Sequence, residues 1–257
     1  RGLYSSKDKK VLVDQLTELA DAGVDSIMLS WWGQADSDVT RDSQGVSTDE
    51  IVPTVLDAAA EAGIGVSWHL EPYGGRSPRS VLADLRYLNE RYGQHPAMFR
   101  QESNGNARRT SKDMPTSSYE WRRPKLPVVW LYDVSAEHSS SPSVREEWRD
   151  VVAELRGSDA DAVLLSLYVD RRDVDFVKEV GFDGAYTYFA AEGFTEGSRS
   201  DWWGDARSKM EANGKLFYPS VGPGYNDTLI RPWNAAQTRA RGRGAYYDKV
   251  CILVRTT

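Results

Sequence analysis

Two residues of the chain stand ready to act as a pair. His69 and Glu71 are two apart in Trp68-His69-Leu70-Glu71-Pro72-Tyr73. In an extended strand, residues i and i+2 share a face. The imidazole and the carboxylate therefore either line a cleft together or form a buried hydrogen-bonded pair. Arg76 follows closely and is placed to ion-pair with Glu71. Aromatic groups recur in similar short runs: Trp31 and Trp32 before Gly33, Tyr73, Tyr132 before Asp133, Tyr186 and Tyr188, then Tyr225, Arg231 and Trp233. The chain holds 9 Trp and 13 Tyr. Flat apolar faces with polar edges suit sugar rings, which present C–H faces and hydroxyl rims. The chemistry expected is saccharide recognition, with carboxylates for acid/base work. The packing alternatives are a Trp31–Trp32 rim, a Glu71–Arg76 salt bridge and Asp133 as a helix cap.

Other chemistries find little support. His69, His95 and His138 have no metal-ligand spacing, and no H-E-x-x-H run is present. No metal and no cofactor is expected. His95, before Pro96, reads as structural. No G-x-S-x-G elbow, G-x-G-x-x-G or Walker A run occurs. The Gly-rich turn 222–225 opens no clear helix, which argues against a phosphate cradle. Net charge is −6 and the basic residues are scattered, so nucleic acid is not an expected partner. No run approaches a membrane span, so no membrane contact is expected from this segment. The single Cys251 excludes an internal disulfide.

Positioning these groups falls to alternating helices and strands. Apolar periodicity predicts strands over 24–30, 64–70, 127–132, 162–168, 182–188 and 215–221. Helices are predicted over 7–22, from Ser47 and Glu50 to Gly63, from Ser77-Pro78, from Ser141-Pro142, over 170–180 and over 200–213. Residues 100–126 are polar and aperiodic and read as a long loop or insertion. Such alternation implies parallel strands with helices outside. The length of 257 residues favours a single (β/α)8 TIM barrel over 1–257, with 250–257 as a divergent tail; an open doubly wound sheet is the alternative. In a barrel, function gathers where strands end, and the aromatic and charged runs stand at those ends.

The same runs resemble one family. Trp31-Trp32-Gly33, His69-Leu70-Glu71-Pro72-Tyr73, Tyr132-Asp133, Phe182-Asp183-Gly184-Ala185-Tyr186-Thr187-Tyr188-Phe189, Ser220-Val221-Gly222-Pro223-Gly224-Tyr225 and Ile230-Arg231-Pro232-Trp233-Asn234 look like the glycoprotein endo-α-1,2-mannosidases, glycoside hydrolase family 99. The resemblance implies an endo-acting, retaining hydrolase of α-mannosides. It implies that one carboxylate takes the proton of the substrate's own 2-hydroxyl, closing a 1,2-anhydro sugar, while another protonates the leaving oxygen. Both carboxylates belong to an Asn-Glu-Trp-His-Glu motif expected beyond Thr257, and the family's first strand is expected before Arg1. No catalytic carboxylate is expected within the chain, which is expected by itself to be an inactive fragment. Tyr188 matches a tyrosine of the reaction centre. Glu192 and Glu196 do not match the family's carboxylates. Expected partners are an α-mannoside oligosaccharide or an N-glycan. Expected compartments are the Golgi lumen for a eukaryotic source, and the secreted or periplasmic space for a bacterial one. Two other readings stand beside this one: a non-catalytic mannoside-binding barrel, and an unrelated barrel enzyme using Glu71 and Asp133 as its acid/base pair.

Overall fold

The computed structural model describes residues 4–35, 48–102, 125–136, 138–188 and 193–256. Ser47, Phe189, Glu192, Thr257 and residues 103–124 of the expected insertion lie outside the described residues. The chain divides into two units, residues 1–133 with 146–164, and residues 134–145 with 165–257.

The first unit opens with helix α1, Lys9–Asp21, whose first turn is capped by the Asp8 side chain accepting from the Lys10 N–H. Strand β1, Ser26–Trp31, follows. A 3-10 turn over Asp49–Ile51 leads into α2, Val52–Ala62, with Pro in its first turn. Gly63 closes α2 at φ +71°, a conformation that a side chain would oppose. Then come β2, Gly65–Leu70, and α3, Pro78–Tyr92. The Ser77-Pro78 start works as its sequence suggests: Ser77 and Ser80 cap each other's backbone N–H groups reciprocally, and Pro78 needs no N–H donor. Strands β3, Arg100–Glu102, and β4, Lys125–Leu131, end this run.

β1 pairs with β2 and β2 with β4, both in parallel, as the alternation predicts. β3 is the exception. It pairs antiparallel with β4, Arg100 opposite Pro127, inside a segment read as loop. Three residues are too few for a period to show. The apolar face of the sheet lies against helices. Val66, Leu70, Val129 and Leu131 are buried with Val55, Leu56, Leu82 and Leu85. Helix α4, Pro142–Leu155, contributes Trp148, Val151, Val152 and Leu155 to the core, and its Glu154 bridges Arg79 and Arg86 of α3.

In the second unit, residues 165–167 of β5, Val163–Leu167, pair in parallel with β6, Gly184–Tyr186, and β6 with β7, Leu216–Tyr218. Helix α5, Asp173–Val180, buries Phe176, Val177 and Val180, and Phe176 meets Phe182 edge to face at 5.8 Å. A 3-10 turn over Ser200–Trp202 precedes α6, Trp203–Ala212. Beyond β7 stand a 3-10 segment, Pro232–Gln237, and α7, Ala245–Thr256. The apolar run at Val250 is thus part of a helix.

Candidate functional site

Strand register decides which side chains meet. Ser30 lies opposite His69, and His69 opposite Trp130. Neighbours along a strand point to opposite faces. Ser30, His69 and Trp130 therefore share one face, and Trp31, Leu70 and Leu131 share the other. His69 is nearly covered, with its side chain 4% exposed.

Glu71 is the first residue after β2. Its N–H still donates to the Trp31 carbonyl at 3.0 Å, which carries its side chain to the His69 side. One carboxylate oxygen, Oε1, accepts the Ser30 hydroxyl at 2.7 Å and lies 2.8 Å from His69 Nδ1. Among the described residues, Oε2 has no donor, and the Glu71 side chain is 13% exposed. The group is a part-buried carboxylate with one oxygen committed to the protein and one open to a hydroxyl.

Around it the walls are aromatic. The Tyr132 ring stands 5.6 Å from that of His69. Trp130 is half-buried and donates from Nε1 to Ser67 Oγ at 3.0 Å. Arg76 ties the loops after β2 and β4 together, donating to the carbonyls of Tyr132 at 2.6 Å and Asp133 at 2.9 Å. Asp133 sits at φ +59°, a left-handed conformation that Asp tolerates better than most residues. Trp32 is half-buried, its backbone N–H held by Thr48 Oγ1 at 3.1 Å.

Two expected wall residues belong to the support instead. Trp31 is fully buried; it points toward the helices, its ring 6.2 Å from that of Tyr87. Its Nε1 donates at 2.9 Å to Asp49, whose other oxygen accepts the Tyr87 hydroxyl at 2.5 Å and the Ala35 N–H at 3.1 Å. A ring with no exposed surface offers no face to a sugar. Tyr73 is likewise buried, at 5% exposure. Its hydroxyl donates to Asp84 and contacts Ser80 Oγ at 2.8 Å, and Gln34 donates to Asp84 at 3.2 Å. Burial drives the Asp84 carboxyl above its usual range, against the opposing pull of these donors. Burial, and then the Asp84 bond, push the Tyr73 hydroxyl far up. Asp49 and Asp84 thus fix the segments after β1 and β2 from beneath.

The second unit holds the remaining residues. Tyr186, expected to face a ligand, is 1% exposed, and its carbonyl accepts the Tyr168 N–H at 2.7 Å. Its place between paired strands, opposite Leu167 and Tyr218, makes it core. Tyr188, on the same alternation, is 47% exposed. Between them Thr187 Oγ1 meets Ser220 Oγ at 2.9 Å and accepts the Ser220 N–H at 2.6 Å. The turn after β7 pairs with Arg239 through both backbone bonds of Tyr225. Gly224 has no room for a Cβ, which would fall 2.9 Å from the Arg239 carbonyl. Arg231 and Trp233 are exposed. Asp227 accepts from Tyr225, Arg231 and Asn234.

Ser30, Trp130 and Asp227 stand in these clusters without having been singled out in the sequence. Ser30 was within reach of period-two reasoning, since it alternates with Trp31. Among the described residues no group of three or more His, Cys, Asp or Glu could hold a metal ion, and no helix is long and apolar enough to cross a membrane. His95 is structural: its ring accepts the Ala97 N–H at 3.2 Å and meets Asp57 at 3.3 Å.

Known proteins are similar to this chain. Residues 1–254 match the profile of Glycosyl hydrolase family 99. The chain is 35% identical over 247 residues to the glycoprotein endo-α-1,2-mannosidase of Mus musculus, covering 96% of this chain and 49% of that protein. It is 34% identical over 252 residues to the glycoprotein endo-α-1,2-mannosidase-like protein of Homo sapiens, again covering 96% and 49%. The chain spans about half the length of the curated relatives it matches. A solved structure, the family 99 endo-α-mannosidase of Bacteroides thetaiotaomicron, matches with a TM-score of 0.76 and 31% identity, over 97% of this chain and 64% of that one.

Proposed function

The chain belongs to glycosyl hydrolase family 99, and from that premise we propose that its residues supply sugar-binding parts of an endo-acting, retaining hydrolase of α-mannosides. The observation that carries the reading is the Ser30–Glu71–His69 cluster at the carboxyl ends of two parallel strands. Sites of α/β proteins gather at such ends. A carboxylate with one oxygen fixed and one open accepts a sugar hydroxyl through a charge-assisted bond.

On this reading, Glu71 takes a hydroxyl, His69 lines the cleft beside it, and Trp32, Trp130 and Tyr132 form walls. Arg76 and Asp133 hold the loop that carries Tyr132. Tyr188, half-exposed, belongs to the reaction centre, and Tyr225, Arg231 and Trp233 meet the sugar chain. Bond cleavage needs a carboxylate that takes the proton of the 2-hydroxyl and another that protonates the leaving oxygen. The Asn-Glu-Trp-His-Glu run assigned to those roles is absent from the 257 residues. Recognition and orientation are therefore what the reading gives to these residues. Closure of the strands as a (β/α)8 barrel is part of the same proposal, as is an N-glycan or α-mannan substrate in the Golgi lumen or outside a bacterial cytoplasm. A mannoside binder without hydrolysis is the second reading, resting on the same Ser30–Glu71–His69 cluster. A longer form that carries the motif separates the two: release of a disaccharide from an α-1,2-linked mannoside supports the hydrolase, and binding without release supports the binder. Failure of the chain to bind any α-mannoside in calorimetric titration overturns both.

A further inference from the structure

The loop after β7 is built around one carboxylate. Asp227 receives three side-chain donors on a single oxygen: the Tyr225 hydroxyl at 2.7 Å, the Asn234 amide at 2.9 Å and the Arg231 guanidinium at 3.3 Å. Its backbone carbonyl accepts the N–H groups of Ile230 at 2.8 Å and Arg231 at 2.7 Å. The other carboxylate oxygen, Oδ1, is buried and has no partner among the described residues. The Asp227 side chain is 10% exposed, whereas Leu229 is fully exposed and Ile230 and Trp233 are 75% and 77% exposed. These apolar side chains do not hold the loop by burial. What holds it is the Asp227 hub and the pair of backbone bonds between Tyr225 and Arg239.

We infer that Asp227 is the positioning residue of a carbohydrate-contacting loop, fixing the Tyr225 ring and the Arg231 guanidinium in advance so that they and Trp233 can contact an α-mannoside. The ligand class rests on the proposed function; the positioning claim does not. Asp227 does not touch the sugar, because one oxygen is occupied and the other is covered. It acts by ordering the loop before the ligand arrives, so that this order is not charged against binding. The donors around it favour the ionised form: the Tyr225 bond, with those of Asn234 and Arg231, keeps the Asp227 carboxyl below its usual range, and the same bond raises the Tyr225 hydroxyl.

The test uses the 257-residue chain and the variants Asp227→Ala, Asp227→Asn, Asp227→Glu, Tyr225→Phe and the Asp227→Ala/Tyr225→Phe double variant. Hydrogen exchange of the Tyr225, Ile230 and Arg239 amides, measured without ligand, reads loop order. Calorimetric titration with an α-1,2-linked mannotriose reads affinity. Asp227→Ala is expected to speed exchange and to weaken binding, each by about tenfold. Asp227→Asn keeps an acceptor for Tyr225 but loses the charge facing Arg231, and falls between wild type and Asp227→Ala. Asp227→Glu restores part of both readouts. The double variant binds no worse than Asp227→Ala. Wild-type exchange and wild-type affinity in Asp227→Ala overturn the inference. Should Asp227→Ala lose the fold, Asp227→Asn decides by the same two readouts. If the wild-type chain binds no mannoside, the proposed function fails, while the exchange measurement still decides whether Asp227 orders the loop.

Discussion

Ser30 and Glu71, 41 residues apart, are joined by a 2.7 Å hydrogen bond from hydroxyl to carboxylate. The bond exists because β1 and β2 pair in parallel with Ser30 opposite His69, so that the residue just past β2 reaches back over its neighbour. His69 takes the same carboxylate oxygen from the other side. The carboxylate is thereby oriented by two strands rather than by one flexible loop.

Removing the Ser30 hydroxyl should loosen Glu71 without discharging it. Ser30→Ala is expected to weaken α-mannoside binding by about threefold to tenfold, the worth of one ordinary hydrogen bond. Titration calorimetry checks this. Unchanged affinity would mean that Ser30 has no part in holding the site.

Trp31 and Trp32 should separate cleanly. Trp31→Phe removes the buried bond to Asp49 and leaves space beneath β1. A cost of about 1–3 kcal/mol in stability is expected, read by chemical denaturation, with affinity of the folded chain unchanged. Trp32→Ala is expected to leave stability nearly intact and weaken binding. The reverse pattern would return Trp31 to the cleft.

The two tryptophans also show where sequence reading reached its limit. Helix starts were plain, because Ser77 and Pro78 each solve a backbone problem of the first turn. The strand segments were plain too, because buried parallel strands are continuous apolar runs. That His69 and Glu71 share a face follows from the strand period alone, whereas the bond between them needs the structure. Which face of β1 carries the site did not follow, since adjacent Trp31 and Trp32 look alike until the register with His69 is known. Asp49, Asp84 and Asp227 were hidden for a related reason: a buried acid is defined by partners distant in the fold, such as Trp31 and Tyr87 for Asp49. β3 is not legible in the sequence because its pairing with β4 is tertiary and its three residues carry no periodic signal.

Asp84 should give stability a pH dependence. Its folded-state value lies above the usual carboxylate range, burial being the main cause, so the fold prefers the protonated form. That contribution is complete below the unfolded value of about 3.9 and is lost as pH rises through the elevated folded value. Denaturation midpoints measured from pH 3.5 upward should fall more steeply for the wild type than for Asp84→Asn. Parallel curves for the two would show that Asp84 does not titrate in this way.

On the proposed function, Glu71, steadied by Ser30 and His69, binds an α-mannoside. Calorimetric titration of the wild-type chain and of Glu71→Gln with an α-1,2-linked mannobiose decides this. Gln keeps the shape and an acceptor for Ser30 but removes the charge, so affinity should drop by about tenfold or more while the denaturation midpoint stays close to wild type. Equal affinity in the two proteins would show that the Glu71 carboxylate takes no part in binding.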